Sequence, residues 1–166
     1  MTPEWLALWS SAFADTIVVE TPLYLVFLVA ALGPWRAALA SLALQMATHP
    51  VLWLAWPLVS PHIDYAPLVV IAETLVVTAE ACLLRFALGP GRWALAVVAA
   101  LVANAASTVV GLVQGDDAWL ALVVFALGLL VADLIRRRMT PPLARRDQLV
   151  LVGAALATTI YLALVG

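Results

Sequence analysis

The stretch Ala118-Trp-Leu-Ala-Leu-Val-Val-Phe-Ala-Leu-Gly-Leu-Leu-Val-Ala-Asp-Leu-Ile-Arg136-Arg137-Arg138 is almost wholly apolar until it meets three consecutive arginines. A run of about 18 apolar residues is long enough to cross the hydrocarbon core of a bilayer as a helix. Arginines at one end of such a run mark the end that stays in the cytoplasm. The two readings together, a span and its direction, organise the rest of the chain.

Working outward, six segments of this kind are expected, at about residues 14–33, 36–58, 67–88, 93–114, 118–135 and 148–165. Turn or breaker clusters separate them: Gly33-Pro34, Ser60-Pro61-His62-Ile63-Asp64, Gly89-Pro90-Gly91, Gly115-Asp116-Asp117 and Thr140-Pro141-Pro142. Most of these connections are too short for anything but antiparallel neighbours. In lipid each segment must satisfy its own backbone hydrogen bonds, which makes it a helix. The expectation is an all-α, polytopic integral membrane protein, residues 1–166 forming a single antiparallel bundle of about six transmembrane helices.

Composition agrees. The chain has 166 residues, 66% of them hydrophobic and 11% charged, and contains no lysine. A soluble domain is about half apolar and a quarter charged. There is no basic surface for nucleic acid and no glycine-rich phosphate loop. The lone cysteine, Cys82, excludes an intramolecular disulfide or a thiolate cluster within one chain, and is expected to be a small buried hydrophobe. The opening Met1-Thr-Pro-Glu-Trp5 lacks the positive region of a signal peptide, so the first apolar segment is expected to be retained.

All eight arginines fall at alternate connections: Arg36; Arg85 and Arg92; then Arg136, Arg137, Arg138, Arg145 and Arg146. The other connections and the N-terminal region carry Glu4, Asp15, Asp64, Asp116 and Asp117. The positive-inside rule then predicts a multi-pass protein of the cell (inner) membrane with both termini extracytoplasmic and loop 136–146 cytoplasmic. Basic clusters of this kind can also touch anionic headgroups, but a topology signal already accounts for this one. Trp5, Trp9, Trp35, Trp56, Trp93 and Trp119 fall near segment ends, as an aromatic belt requires. Residues 4–13 are expected to form a short interfacial helix.

Against this background, a few polar side chains stand out inside the segments. An ionisable group at such depth costs about 2.5–3.5 kcal/mol even on a lenient insertion scale. Counted at 1.5 Å per residue from the expected outer ends, Glu20 and Glu73 lie about 9 Å deep, Ser107 about 10 Å, His49 about 13 Å, Asn104 about 15 Å and Glu80 about 20 Å. Most of these, borne by four helices, fall in one outer layer. Glu20 and Tyr24 share a helical face, as do Gln45 and His49. Glu73 and Glu80 line one stripe, two turns apart. Asn104, Ser107 and Gly111 form a small-and-polar stripe that also suits close helix packing. Pro22 and Pro50 each leave a carbonyl without its helical donor, those of Val18 and Met46, beside Glu20 and His49. Interrupted helices of this sort form substrate and ion sites in transporters.

Carboxylates with an imidazole suit a divalent metal ion or proton transfer, since low dielectric disfavours the charged form of a carboxylate. The first expectation is a cation- or proton-coupled transporter or ion-binding membrane protein. It would use Glu20, His49, Glu73, Glu80 and Asn104, supported by Tyr24, Gln45, Pro22, Pro50 and Ser107. Its partners would be the bilayer and a small ion or small-molecule substrate; a homo-oligomer is left open. An alternative is an intramembrane metal-dependent hydrolase acting on a lipid or membrane peptide, with His62 folding back as a further ligand. Neither His-Glu-x-x-His nor Gly-x-Ser-x-Gly is present. The third expectation is a membrane scaffold whose glutamates pair with His49 and Tyr161.

Overall fold

The computed structural model describes residues 3–114 and 117–165; Gly115 and Asp116 of the expected acidic turn lie outside the described residues. Six helices follow one another: α1 (Pro3–Leu32), α2 (Pro34–Val59), α3 (Tyr65–Leu88), α4 (Trp93–Gln114), α5 (Ala118–Met139) and α6 (Arg145–Val165). All six are long and apolar enough to cross a membrane.

Helix α1 begins at Pro3, not near residue 14. Proline in the first turn loses no hydrogen bond, because the first N–H groups of a helix have no partner within it. No glycine or proline interrupts residues 4–21, so the expected interfacial helix is simply the first part of α1. That part is anchored by aromatic contact with α2. The ring of Trp5 meets Trp53 edge-on at 5.8 Å, and Trp9 stacks on Phe13 at 5.5 Å. Phe13 in turn lies 4.9 Å from the His49 ring.

Between α1 and α2 stands a single residue, Gly33, at φ 76°. A residue with a Cβ rarely adopts that conformation, and glycine does so freely. Both α1 and α2 run continuously through their prolines, Pro22 and Pro50, so neither is the interrupted helix that the sequence suggests.

Helices α1, α2, α3 and α4 pack in a closed ring, each touching the next and α4 touching α1. Helix α5 lies outside this ring against α1 and α4, and α6 lies against α1 and α5. Helix α1 is therefore the central post, and Leu23, Tyr24, Phe27 and Leu28 on it are wholly buried. Helix α4 faces it with Ala96, Ala99, Ala100, Ala103 and Ala106, small enough for close approach of two backbones. On α5, Gly128 packs closely, since an added Cβ there would sit 3.3 Å from that of Ala106. Gly111, by contrast, has open space around it and packs against nothing.

The outer faces are apolar, as lipid contact requires. On α6, Leu149, Val152, Leu156, Ile160 and Leu164 form one exposed stripe. Trp35, Trp93 and Trp119 are exposed at helix starts. Cys82 is also exposed, on the outside of α3, which corrects the expectation of burial. A small, weakly polar thiol loses nothing by facing hydrocarbon.

Candidate functional site

A cavity of about 120 Å³ lies inside the ring of α1 to α4. Each helix contributes to its wall through residues one turn apart. Helix α1 supplies Thr16 and Glu20; α2 supplies Gln45, Thr48, His49 and Leu52; α3 supplies Glu73, Val76 and Glu80; α4 supplies Asn104, Ser107 and Thr108. The five residues singled out from the sequence as site candidates, Glu20, His49, Glu73, Glu80 and Asn104, all line this one space.

Two of the carboxylates are fully enclosed: Glu20 is 2% exposed and Glu80 is 0% exposed. Glu20 Oε2 accepts from Gln45 Nε2 at 2.5 Å, and Glu20 Oε1 accepts from Ser107 Oγ at 2.5 Å. Glu80 takes three donors. Tyr24 Oη donates to its Oε2, Asn104 Nδ2 donates to the same oxygen at 2.5 Å, and Thr48 Oγ1 donates to Oε1 at 3.0 Å. Asn104 Nδ2 also reaches Tyr24 Oη at 3.3 Å and its own helix at the Ala100 carbonyl, 2.9 Å away. Asn104 and Ser107 thus serve the carboxylates, and the packing role open to their stripe falls to the alanines and Gly128. Glu73 is only half-buried and stands beside Thr108.

Every one of these donors is electrically neutral. Among the described residues, no arginine or histidine nitrogen is within ion-pair distance of Glu20, Glu73 or Glu80; the arginines that do pair, Arg136 and Arg137, both bind Asp133. Neutral hydrogen bonds soften the burial of a carboxylate but leave its charge uncompensated, a state costing several kcal/mol per ion. A proton or an external cation removes that cost.

His49 is buried on the cavity wall, yet it does not pair with the glutamates. Its Nε2 lies 3.4 Å from Thr16 Oγ1, its ring sits between Phe13 and Trp53, and its Nδ1 has no hydrogen-bond partner. Among the described residues, no three His, Cys, Asp or Glu side chains are grouped so as to hold a metal ion. His62 does not fold back towards the cavity; it is exposed in the turn after α2. The polar wall of the cavity is therefore made of carboxylate, amide and hydroxyl groups, with the His49 ring turned to Thr16, Phe13 and Trp53.

Three further candidate groups lie outside the cavity wall. The carbonyl of Val18, freed by Pro22, is not available to a ligand, because Thr158 Oγ1 of α6 donates to it at 2.7 Å. Tyr161 donates to Asp15 at 2.6 Å and takes no part in a glutamate pairing. Pro50 lies next to His49 but is not in the cavity wall. Three polar wall residues were not among the candidates, Thr16, Thr48 and Thr108. Their signal was helical spacing: Thr16 lies four residues before Glu20, Thr48 three after Gln45 and Thr108 four after Asn104, on the same faces.

Compared with protein-family models, with curated proteins and with solved structures, the chain gives no significant match to any of them, so the site stands on its own geometry.

Proposed function

We propose that this protein is a small membrane transporter or ion-binding protein that takes up a cation or protons in the cavity between α1 and α4. The observation that carries this reading is the state of Glu20 and Glu80: two enclosed carboxylates beside one space, each hydrogen-bonded, neither given a positive partner. A cluster built only to hold helices together gains nothing from charge left uncompensated in a low-dielectric interior. A cluster that must load and release a positive species needs that vacancy in its charge balance, because a permanent arginine would occupy it.

Arginine placement orients the proposal. With the arginine-bearing connections in the cytoplasm, both termini lie outside and the cavity belongs to the extracytoplasmic half of the bundle. Glu73, half-buried, is then the first carboxylate that an entering cation meets, and Glu80, with Tyr24 behind it, the last.

The test is flux in liposomes under an imposed proton or monovalent-cation gradient. Wild type is expected to dissipate the gradient, and Glu20→Gln and Glu80→Gln to do so at least about tenfold more slowly while melting as cooperatively as wild type. Equal flux through wild type and both variants would overturn the assignment.

A further inference from the structure

The acidic cavity is not the only hollow at this level. Between α2 and α3 runs an apolar groove of about 340 Å³, and Thr48, Leu52 and Val76 belong to both its wall and that of the cavity. A third hollow, of about 300 Å³, is walled by Leu52, Trp53, Trp56 and Tyr65. Leu52 is common to all three and stands where they meet.

The groove has the character of a passage towards lipid. Four alanines, Ala47, Ala55, Ala72 and Ala79, line it and leave the space between the helices open, where a bulkier side chain would occupy it. Its rims, Val51 and Leu75, are exposed on the outer face of the bundle. An apolar channel at the hydrocarbon edge has no use for a hydrated metal ion or a bare proton, since neither is drawn through apolar surroundings. Its inner wall, however, is Thr48, Leu52 and Val76, and on the other side of those three side chains lies the cavity lined by Glu20, Glu73 and Glu80.

We infer that the cavity and groove together bind an amphiphilic organic cation: an ammonium head among Glu20, Glu73 and Glu80, and an unbranched apolar tail along the groove between α2 and α3. This rests on the cavity's being a cation site and adds the substrate class and the lateral route. Two features select that occupant. The carboxylates attract an ammonium, whose N–H groups match acceptor oxygens, and reject an anionic head. The groove accommodates a chain that stays in contact with lipid while the head turns inward, so the charge need not cross the hydrocarbon alone. Leu52 separates head from tail and acts as the threshold.

The experiment uses the full chain in phosphatidylcholine nanodiscs, with protein-free discs correcting for partition into lipid. The probes are methylammonium, decylammonium and decyl sulfate. Decylammonium is expected to bind at least about tenfold more tightly than either of the others, each well-buried methylene being worth up to roughly fourfold. Ala55→Phe and Ala79→Phe, at exposed positions where the fold tolerates bulk, are expected to abolish the advantage of the tail while leaving methylammonium binding within about twofold. Leu52→Trp, in the wall shared by cavity and groove, is expected to weaken decylammonium binding at least about tenfold. The inference is overturned if the tail's advantage survives a filled groove, or if decyl sulfate binds as well as decylammonium. It is also overturned if methylammonium matches decylammonium in wild type. In those cases methylammonium binding that is lost in Glu80→Gln still upholds the cation cavity. Absence of all ammonium binding, with no cation or proton flux, removes both.

Discussion

Asp133 near the end of α5 and Glu80 inside the ring are the same chemical group solved in opposite ways. Asp133 Oδ1 accepts from Arg136 Nη2 at 2.6 Å, and its Oδ2 accepts from Arg137 Nε at 2.7 Å. Both arginines lie within one turn on the same helix, so the charge is balanced by neighbours that the local sequence supplies. Glu80 draws its donors from α1, α2 and α4, and all of them are neutral. Beside Asp133 the chain places two arginines; among the described residues it places none within ion-pair distance of Glu80. The contrast separates a fixed ion pair from an enclosed carboxylate held by neutral donors alone.

The largest expected effect comes from erasing that contrast. Gln45→Lys puts a fixed ammonium beside Glu20, and opposite charges about 4 Å apart at an effective dielectric constant near 20 attract by roughly 4 kcal/mol. Cation or proton flux in liposomes is expected to fall at least about a hundredfold, with melting temperature equal to or above that of wild type. Flux that survives the lysine would show that the missing cation is not what the cavity is built around.

The reverse manipulation is Asp133→Asn. It strips a partner from Arg136, a side chain only 5% exposed, whose Nη1 already lacks a hydrogen bond. A destabilisation of about 1–3 kcal/mol is expected by unfolding in detergent, with flux per folded molecule unchanged. A matching loss of flux would mean that the two regions are coupled.

Asn104→Ala takes one of three donors from Glu80 and is expected to cost about 1–2 kcal/mol. It also weakens the hold on the carboxylate, so flux should change as well as stability, which distinguishes it from Asp133→Asn. The smallest effect belongs to Thr158→Val. That substitution leaves the Val18 carbonyl unpaired, at a cost of about 1 kcal/mol in the same unfolding measurement, and flux is expected to stay within about twofold of wild type.

The two regions also differ in what a sequence can disclose. Arginines three and four residues after Asp133 make that pair visible in one dimension. Glu20 and Ser107 are 87 residues apart and Tyr24 and Glu80 are 56 apart, and no periodicity links them. Spacing along each helix showed that Glu20 shares a face with Tyr24 and Glu73 with Glu80. The rotation that turns those faces towards one another is set by packing between helices, the buried alanines of α4 among it, and not by spacing along any one of them. His49 illustrates the limit from the other side. Its neighbourhood in sequence suggested carboxylate partners, and the way α1 and α2 face each other gave it Thr16, Phe13 and Trp53 instead.

By itself the sequence determined six apolar helices joined by short turns, because chain in hydrocarbon must close its own hydrogen bonds and can afford few charges. It also determined which side chains were too polar to face lipid. Only the tertiary structure decided that the polar groups of four helices share one space, that Pro22's orphaned carbonyl is answered by Thr158, and that an apolar groove adjoins the carboxylates. Those outcomes depend on helix rotation and closeness, set by small side chains meeting across interfaces, and no local pattern along the chain encodes them.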